Sequence, residues 1–192
     1  SAFSDVTEIV QNHGNGTYIL SELDNIDISE NYCSTGTNFA GWSIIVLYED
    51  EDLPLNQINI YDGLEAVPNE ISKTLANLNV LDVEGAKIGF IAWEGDASLA
   101  VEESLSINGY ILSNPPLNPS TNAFNGTNSF TGESNMHNMD IDVYDIQNTI
   151  NVGDTDATIQ LTSGQDLVMV NCIITVLNSQ LADATIEINE VE

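Results

Sequence analysis

The sequence predicts an all-β protein, a two-layer antiparallel β-sandwich of jelly-roll-like winding with about eleven strands. Three observations carry this expectation. Short apolar or alternating runs recur between clusters of Gly, Asn, Asp, Ser and Pro. No segment keeps a helical apolar stripe with caps for three turns. Continuous runs such as Ile44-Ile45-Val46-Leu47 occur together with alternating ones such as Thr158-Ile159-Gln160-Leu161, as the covered and the half-covered strands of a sandwich require. The 192 residues suit one domain, and no linker-like stretch divides them.

In chain order, Val6 to His13 reads as a short helical turn, with Asp5 as N-cap before Val6, Ile9 and Val10. Strands are expected at Thr17 to Leu23, Trp42 to Glu49, Gln57 to Tyr61, Ile71 to Val80 and Lys87 to Trp93. Ser104 to Ile107 and Tyr110 to Leu112 form a hairpin around Asn108-Gly109, because that dipeptide accepts the positive φ values of a type I′ turn. Ser113 to Glu133 contains Pro115, Pro116 and Pro119, which bar a regular strand, so it reads as an ordered long loop or a crossover between sheets. Further strands follow at Met139 to Tyr144, Ala157 to Leu161, Leu167 to Leu177 and Ala184 to Val191.

Charge excludes whole classes of function. Two Lys+Arg stand against 30 Asp+Glu, a net charge of −28, so the chain repels nucleic acid and anionic lipid surfaces. No stretch reaches the roughly 18 apolar residues of a membrane helix, and membrane insertion is not expected. With 42% hydrophobic residues the chain can still bury a core. Crowded carboxylates destabilise a compact state, and the remedies are divalent cations or salt, which points to a Ca²⁺-rich exterior; added solubility is the plainer reading. The chain opens on Ser1-Ala2-Phe3 without a charged leader and reads as a piece of something longer. Cys33 and Cys172 offer one disulfide at most; Cys172, inside Val170 to Ile174, reads better as a small buried hydrophobe.

His13 and His137 are the two imidazoles, and neither neighbours a Gly-x-Ser-x-Gly elbow, so nucleophilic hydrolysis has no support. A glycosidase needs two carboxylates, which abound, but also aromatic platforms; Trp42 and Trp93 sit in strand patterns and are expected in the core. Ca²⁺ suits the composition best, since it takes oxygen ligands. Three candidate clusters arise. Glu94 and Asp96 flank Gly95 directly after a strand, where a turn can converge both carboxylates. Asp140 and Asp142 share one face with Asn138, while Met139, Ile141 and Val143 point to the other. The run Glu49-Asp50-Glu51-Asp52 ends a strand. None matches an EF-hand loop, and a solvated polar face explains each equally. Asn15-Gly16-Thr17 and Asn125-Gly126-Thr127 match the glycosylation sequon but are explained as well by turn chemistry.

Several segments together resemble a known module: Asp5-Val6-Thr7, Gly14-Asn15-Gly16-Thr17-Tyr18, Gly41-Trp42-Ser43, Val46-Leu47-Tyr48-Glu49-Asp50, Asn59-Ile60-Tyr61-Asp62-Gly63, Trp93-Glu94-Gly95-Asp96, Asp140-Ile141-Asp142-Val143-Tyr144-Asp145 and Gly164-Gln165-Asp166. The chain resembles an extracellular β-rich domain of unknown function found in large surface adhesins of gliding Bacteroidota, exported by the type IX route, and in some archaeal surface proteins. The resemblance implies a surface-exposed module, tandemly repeated in its host, without catalytic residues. The function expected is a non-catalytic spacer or adhesive unit of a gliding-motility adhesin, stiffened by Ca²⁺ at Glu94, Asp96, Asp140 and Asp142. Its partners are neighbouring modules of the same chain and a surface polysaccharide or abiotic surface. The alternative is a Ca²⁺-dependent carbohydrate-binding module or lectin that uses the loop Asn114 to Asn128.

Overall fold

The computed structural model describes residues 2–21, 41–67, 70–98, 102–164 and 166–179. The chain divides into two compact units, Ser1–Asp50 and Glu51–Glu192.

In the first unit, α1 (Thr7–His13) is the expected helical turn. The Asp5 carboxylate accepts the Thr7 N–H at 2.9 Å and so serves the helix start from one position ahead of Val6, the residue that opens it. Two expectations fail here. Neither 17–21 nor 41–50 forms a strand, and Trp42, placed in the core by its pattern, is 46% exposed. Apolar, β-prone residues become a strand only where a neighbour completes the ladder, and the run from Trp42 to Glu49 has no such partner among the described residues. Residues 22–23 of the first expected strand, the whole of Ala184 to Val191, and Cys33 lie outside the described residues.

The second unit is mostly β. Its strands are β1 (Asn56–Val67), β2 (Glu70–Ala76), β3 (Asp82–Trp93), β4 (Ser104–Ile107), β5 (Tyr110–Ile111), β6 (Met139–Asp145), β7 (Asp156–Thr162) and β8 (Val168–Asn178). Eight strands, not about eleven, are therefore present among the described residues. They form two antiparallel sheets, in the orders β1-β8-β3-β6 and β2-β7-β4-β5. The hairpin turns as expected, with Asn108 and Gly109 at φ 49° and 82° and Ile107 opposite Tyr110. The Asn108 side chain also clamps the turn, donating to the Thr149 carbonyl at 2.9 Å and accepting the Thr158 N–H at 2.9 Å.

The sheets close over one core. Ile88 and Phe90 from β3, Leu105 and Ile107 from β4, Ile159 and Leu161 from β7, and Val168 and Leu177 from β8 are all buried. Cys172 is buried and free, and burial, with the Asp62 charge, pushes its thiol up to about 11. The connection from β5 to β6 is the expected crossover between sheets, and it inserts Ala123 and Phe124 into the core. Strand β1 departs from the usual apolar lining. Its Gln57, Asn59 and Tyr61 reach the turn after β2 instead, where Tyr61 Oη donates to the Ala76 carbonyl at 2.7 Å and Gln57 Nε2 to that of Asn77 at 3.0 Å. Ile58 and Ile60 then occupy the other face, 41% and 38% exposed.

Candidate metal centre

At one end of the sandwich the chain leaves β3 through Glu94-Gly95-Asp96. Glu94 adopts φ 72°, a left-handed conformation uncommon outside glycine, and its N–H is held by the Asn138 carbonyl at 2.9 Å. Gly95 is buried, and a Cβ there would strike Asp140 Oδ2 and lie 2.7 Å from the Phe124 carbonyl carbon. Only glycine lets the turn press so closely on the crossover. The result is convergence: Glu94, Asp96 and Asp166 each bring a carboxylate oxygen within 4.8 Å of the others, a grouping able to hold a metal ion.

Asp166 comes from the connection between β7 and β8. Its Oδ1 accepts the Leu167 N–H at 2.9 Å and its backbone N–H bonds the Ser163 hydroxyl at 3.0 Å, so the carboxylate is fixed with Oδ2 left over. Behind it stands Glu103, just before β4, wholly buried and with neither carboxylate oxygen hydrogen-bonded. Burial, with the nearby charges of Asp166, Asp140 and Asp96, pushes the Glu103 carboxyl up to about 8. The Glu94 carboxyl is pushed to about 7 by burial, by its hydrogen bond to Asp166, and by the Asp166 and Asp96 charges. Two carboxyl groups can share a hydrogen bond only when one carries a proton.

Asp140 and Asp142 lie on one face of β6, as the period-two spacing requires, but that face is the buried one. Asp140 Oδ1 accepts three backbone N–H groups, from Asn125 at 3.0 Å, Gly126 at 2.9 Å and Thr127 at 3.1 Å, and thereby pins the crossover. Burial pushes its carboxyl to about 7 against the pull of these donors. Asp142 Oδ2 accepts the Thr127 hydroxyl at 3.1 Å, and burial raises this carboxyl too. Neither residue joins the grouping of Glu94, Asp96 and Asp166. The acidic run Glu49 to Asp52 is exposed. The amides and hydroxyls of the crossover turn inward: Asn118, Asn122, Asn125 and Thr127 are buried, and Asn118 Nδ2 donates to Tyr144 Oη at 2.9 Å.

Sequence reasoning thus reached Glu94 and Asp96 but missed Asp166 and Glu103. Asp166 falls in Gly164-Gln165-Asp166, a turn-like segment with nothing to tie it to Glu94 over such a distance in the chain. Glu103 sits beside exposed Glu102, and nothing in the spacing tells which of the two turns inward.

No protein-family model matches the chain, and no curated protein matches it. Among solved structures it is similar to part of a β-porphyranase of glycoside hydrolase family 86 from the human gut bacterium Bacteroides plebeius, at 17% identity and a TM-score of 0.43, over 66% of this chain and 21% of that one. It is also similar to part of wild-type BuGH86 in complex with neoagarooctaose, at 14% identity and a TM-score of 0.40, over 65% of this chain and 20% of that one. The chain spans about a fifth of the length of these neighbours, and likeness of this degree transfers no activity.

Proposed function

We propose that this chain is a non-catalytic module of a large extracellular surface protein, a spacer or adhesive unit in which Ca²⁺ bound by Glu94, Asp96 and Asp166 stiffens one end of a jelly roll. The observation that carries the reading is the imbalance of hydrogen-bonding groups. Nine buried side-chain oxygens lack a partner among the described residues, and seven belong to Glu94, Glu103, Asn122, Asn125, Asp140 and Asp166. No lysine is available to answer them, since Lys73 pairs with Glu65 at 2.8 Å and Lys87 is exposed on β3. The missing charge has to come from solution. An all-oxygen donor set, without sulfur or imidazole, suits a hard divalent cation, and a weak carboxylate site fills at the Ca²⁺ levels found outside cells, about 0.1–1 mM for extracellular modules.

One feature supports the modular setting. Strands β1 and β8, β2 and β7, β3 and β6, and β4 and β5 pair as a nested series, the winding of a jelly roll, which suits a brick joined to others at its ends.

The test is thermal unfolding with and without 10 mM Ca²⁺ against NaCl of matched ionic strength. At a hundred times its dissociation constant, a ligand of the folded state adds about 2.7 kcal/mol. For a domain of this size that raises Tm by about 5–10 °C. Equal shifts in Ca²⁺ and Na⁺ mean screening alone and overturn the reading.

A further inference from the structure

We infer that Glu103 is a ligand of the same cation, so that one ion clamps the two sheets together and fastens the crossover loop; this rests on the Ca²⁺ reading above. The second observation it needs is Glu103 itself. A carboxylate that is wholly buried with both oxygens unpartnered is among the costliest groups a core can hold, and it persists where something absent from the protein chain completes it. Its neighbours are further carboxylates, Asp166 foremost; Glu103 stands outside the 4.8 Å grouping of Glu94, Asp96 and Asp166, so its side chain has to shift to reach the ion they hold. A proton relieves one such group, whereas a divalent ion relieves the whole set while using oxygens that accept from no donor.

The ligand set spans the fold. Glu94 and Asp96 leave β3 in one sheet, Glu103 enters β4 in the other, and Asp166 lies where the chain passes from β7 in the second sheet to β8 in the first. An ion bound by all four ties the sheets at an end where hydrogen-bonded ladders do not connect them. The crossover is tied to the same point: the Glu103 N–H bonds the Thr121 carbonyl at 3.2 Å, and the Ala123 N–H bonds the Glu103 carbonyl at 3.1 Å. Asn122 Nδ2 reaches the Ala97 carbonyl at 3.4 Å. Drawing the Glu103 side chain onto an ion therefore holds residues 121–123 as well.

The experiment is a Ca²⁺ titration by calorimetry of the full chain and of Glu103→Gln, with amide hydrogen exchange of the unsubstituted protein in Ca²⁺ and in EDTA. Glu103→Gln is expected to lose at least tenfold in Ca²⁺ affinity and, in EDTA, to melt no lower than the unsubstituted chain, because it replaces a buried carboxyl by a neutral amide. Ca²⁺ is expected to slow exchange of the Glu103 and Ala123 amides at least tenfold. If the unsubstituted chain binds Ca²⁺ and Glu103→Gln binds it within threefold, Glu103 is no ligand and the clamp fails while the Ca²⁺ reading stands. If the unsubstituted chain binds none, both fail. Should the variant not fold, unchanged exchange at Glu103 and Ala123 on adding Ca²⁺ overturns the clamp by itself.

Discussion

Replacing Asp140 by alanine isolates the part of the acidic cluster that works without a metal. Its Oδ1 is the acceptor for the N–H groups of Asn125, Gly126 and Thr127, at 2.9–3.1 Å. Asp140→Ala strands three buried donors in one step, and a stranded donor costs about 1–3 kcal/mol. Some water will enter the space that the carboxylate leaves, so the lower half of the summed range is the sound expectation, about 3–6 kcal/mol. That is a large share of the roughly 5–15 kcal/mol by which domains are stable. Asp140→Asn retains an oxygen for the three N–H groups. At pH 6, where burial already keeps the native carboxyl protonated, it should cost about 1 kcal/mol or less. Urea unfolding in excess EDTA measures both, with a constant slope in denaturant as evidence that the two states compared are the same. An alanine variant within 1 kcal/mol of the unsubstituted protein refutes the anchoring role of Asp140.

Two further outcomes follow from the same geometry. Burial raises the carboxyl groups of Glu103 to about 8 and of Glu94 and Asp140 to about 7, so the folded chain holds protons that the unfolded chain releases at ordinary carboxyl values. Their contribution to stability is complete below about pH 4 and is lost as pH rises through 7 to 8. In EDTA, Tm should fall steadily from pH 5 to pH 8, and a Tm that climbs over that range contradicts the burial of these groups. Gly95→Ala places a methyl against Asp140 Oδ2 and the Phe124 backbone, whose carbonyl oxygen lies 2.8 Å from the added carbon. It should lower stability by about 1–3 kcal/mol and weaken Ca²⁺ binding, read by urea unfolding and calorimetry; an unchanged midpoint means that the turn yields freely.

How much was legible depended on how local the cause was. Asn108-Gly109 forms its hairpin because both residues tolerate positive φ, a property carried by the dipeptide itself. The prolines that bar a strand from 113–133 act equally locally, and the segment is the crossover. The strand from Trp42 failed for the opposite reason, since pairing is a property of two segments. On β6, alternation separates Asp140, Asp142 and Tyr144 from Met139, Ile141 and Val143, and hydrophobicity alone would turn the second set inward. The fold turns the first set inward, because the crossover supplies backbone donors for Asp140 and a hydroxyl for Asp142.

By itself, then, the amino-acid order determined the β character, the alternation of faces and the excess of carboxylates over cations, because each follows from near neighbours or from composition. Only the tertiary structure decided which carboxylates meet. Asp166 joins Glu94 and Asp96, with Glu103 buried beside Asp166, through the way two sheets stack, and that proximity leaves no mark on the spacing of residues along the chain.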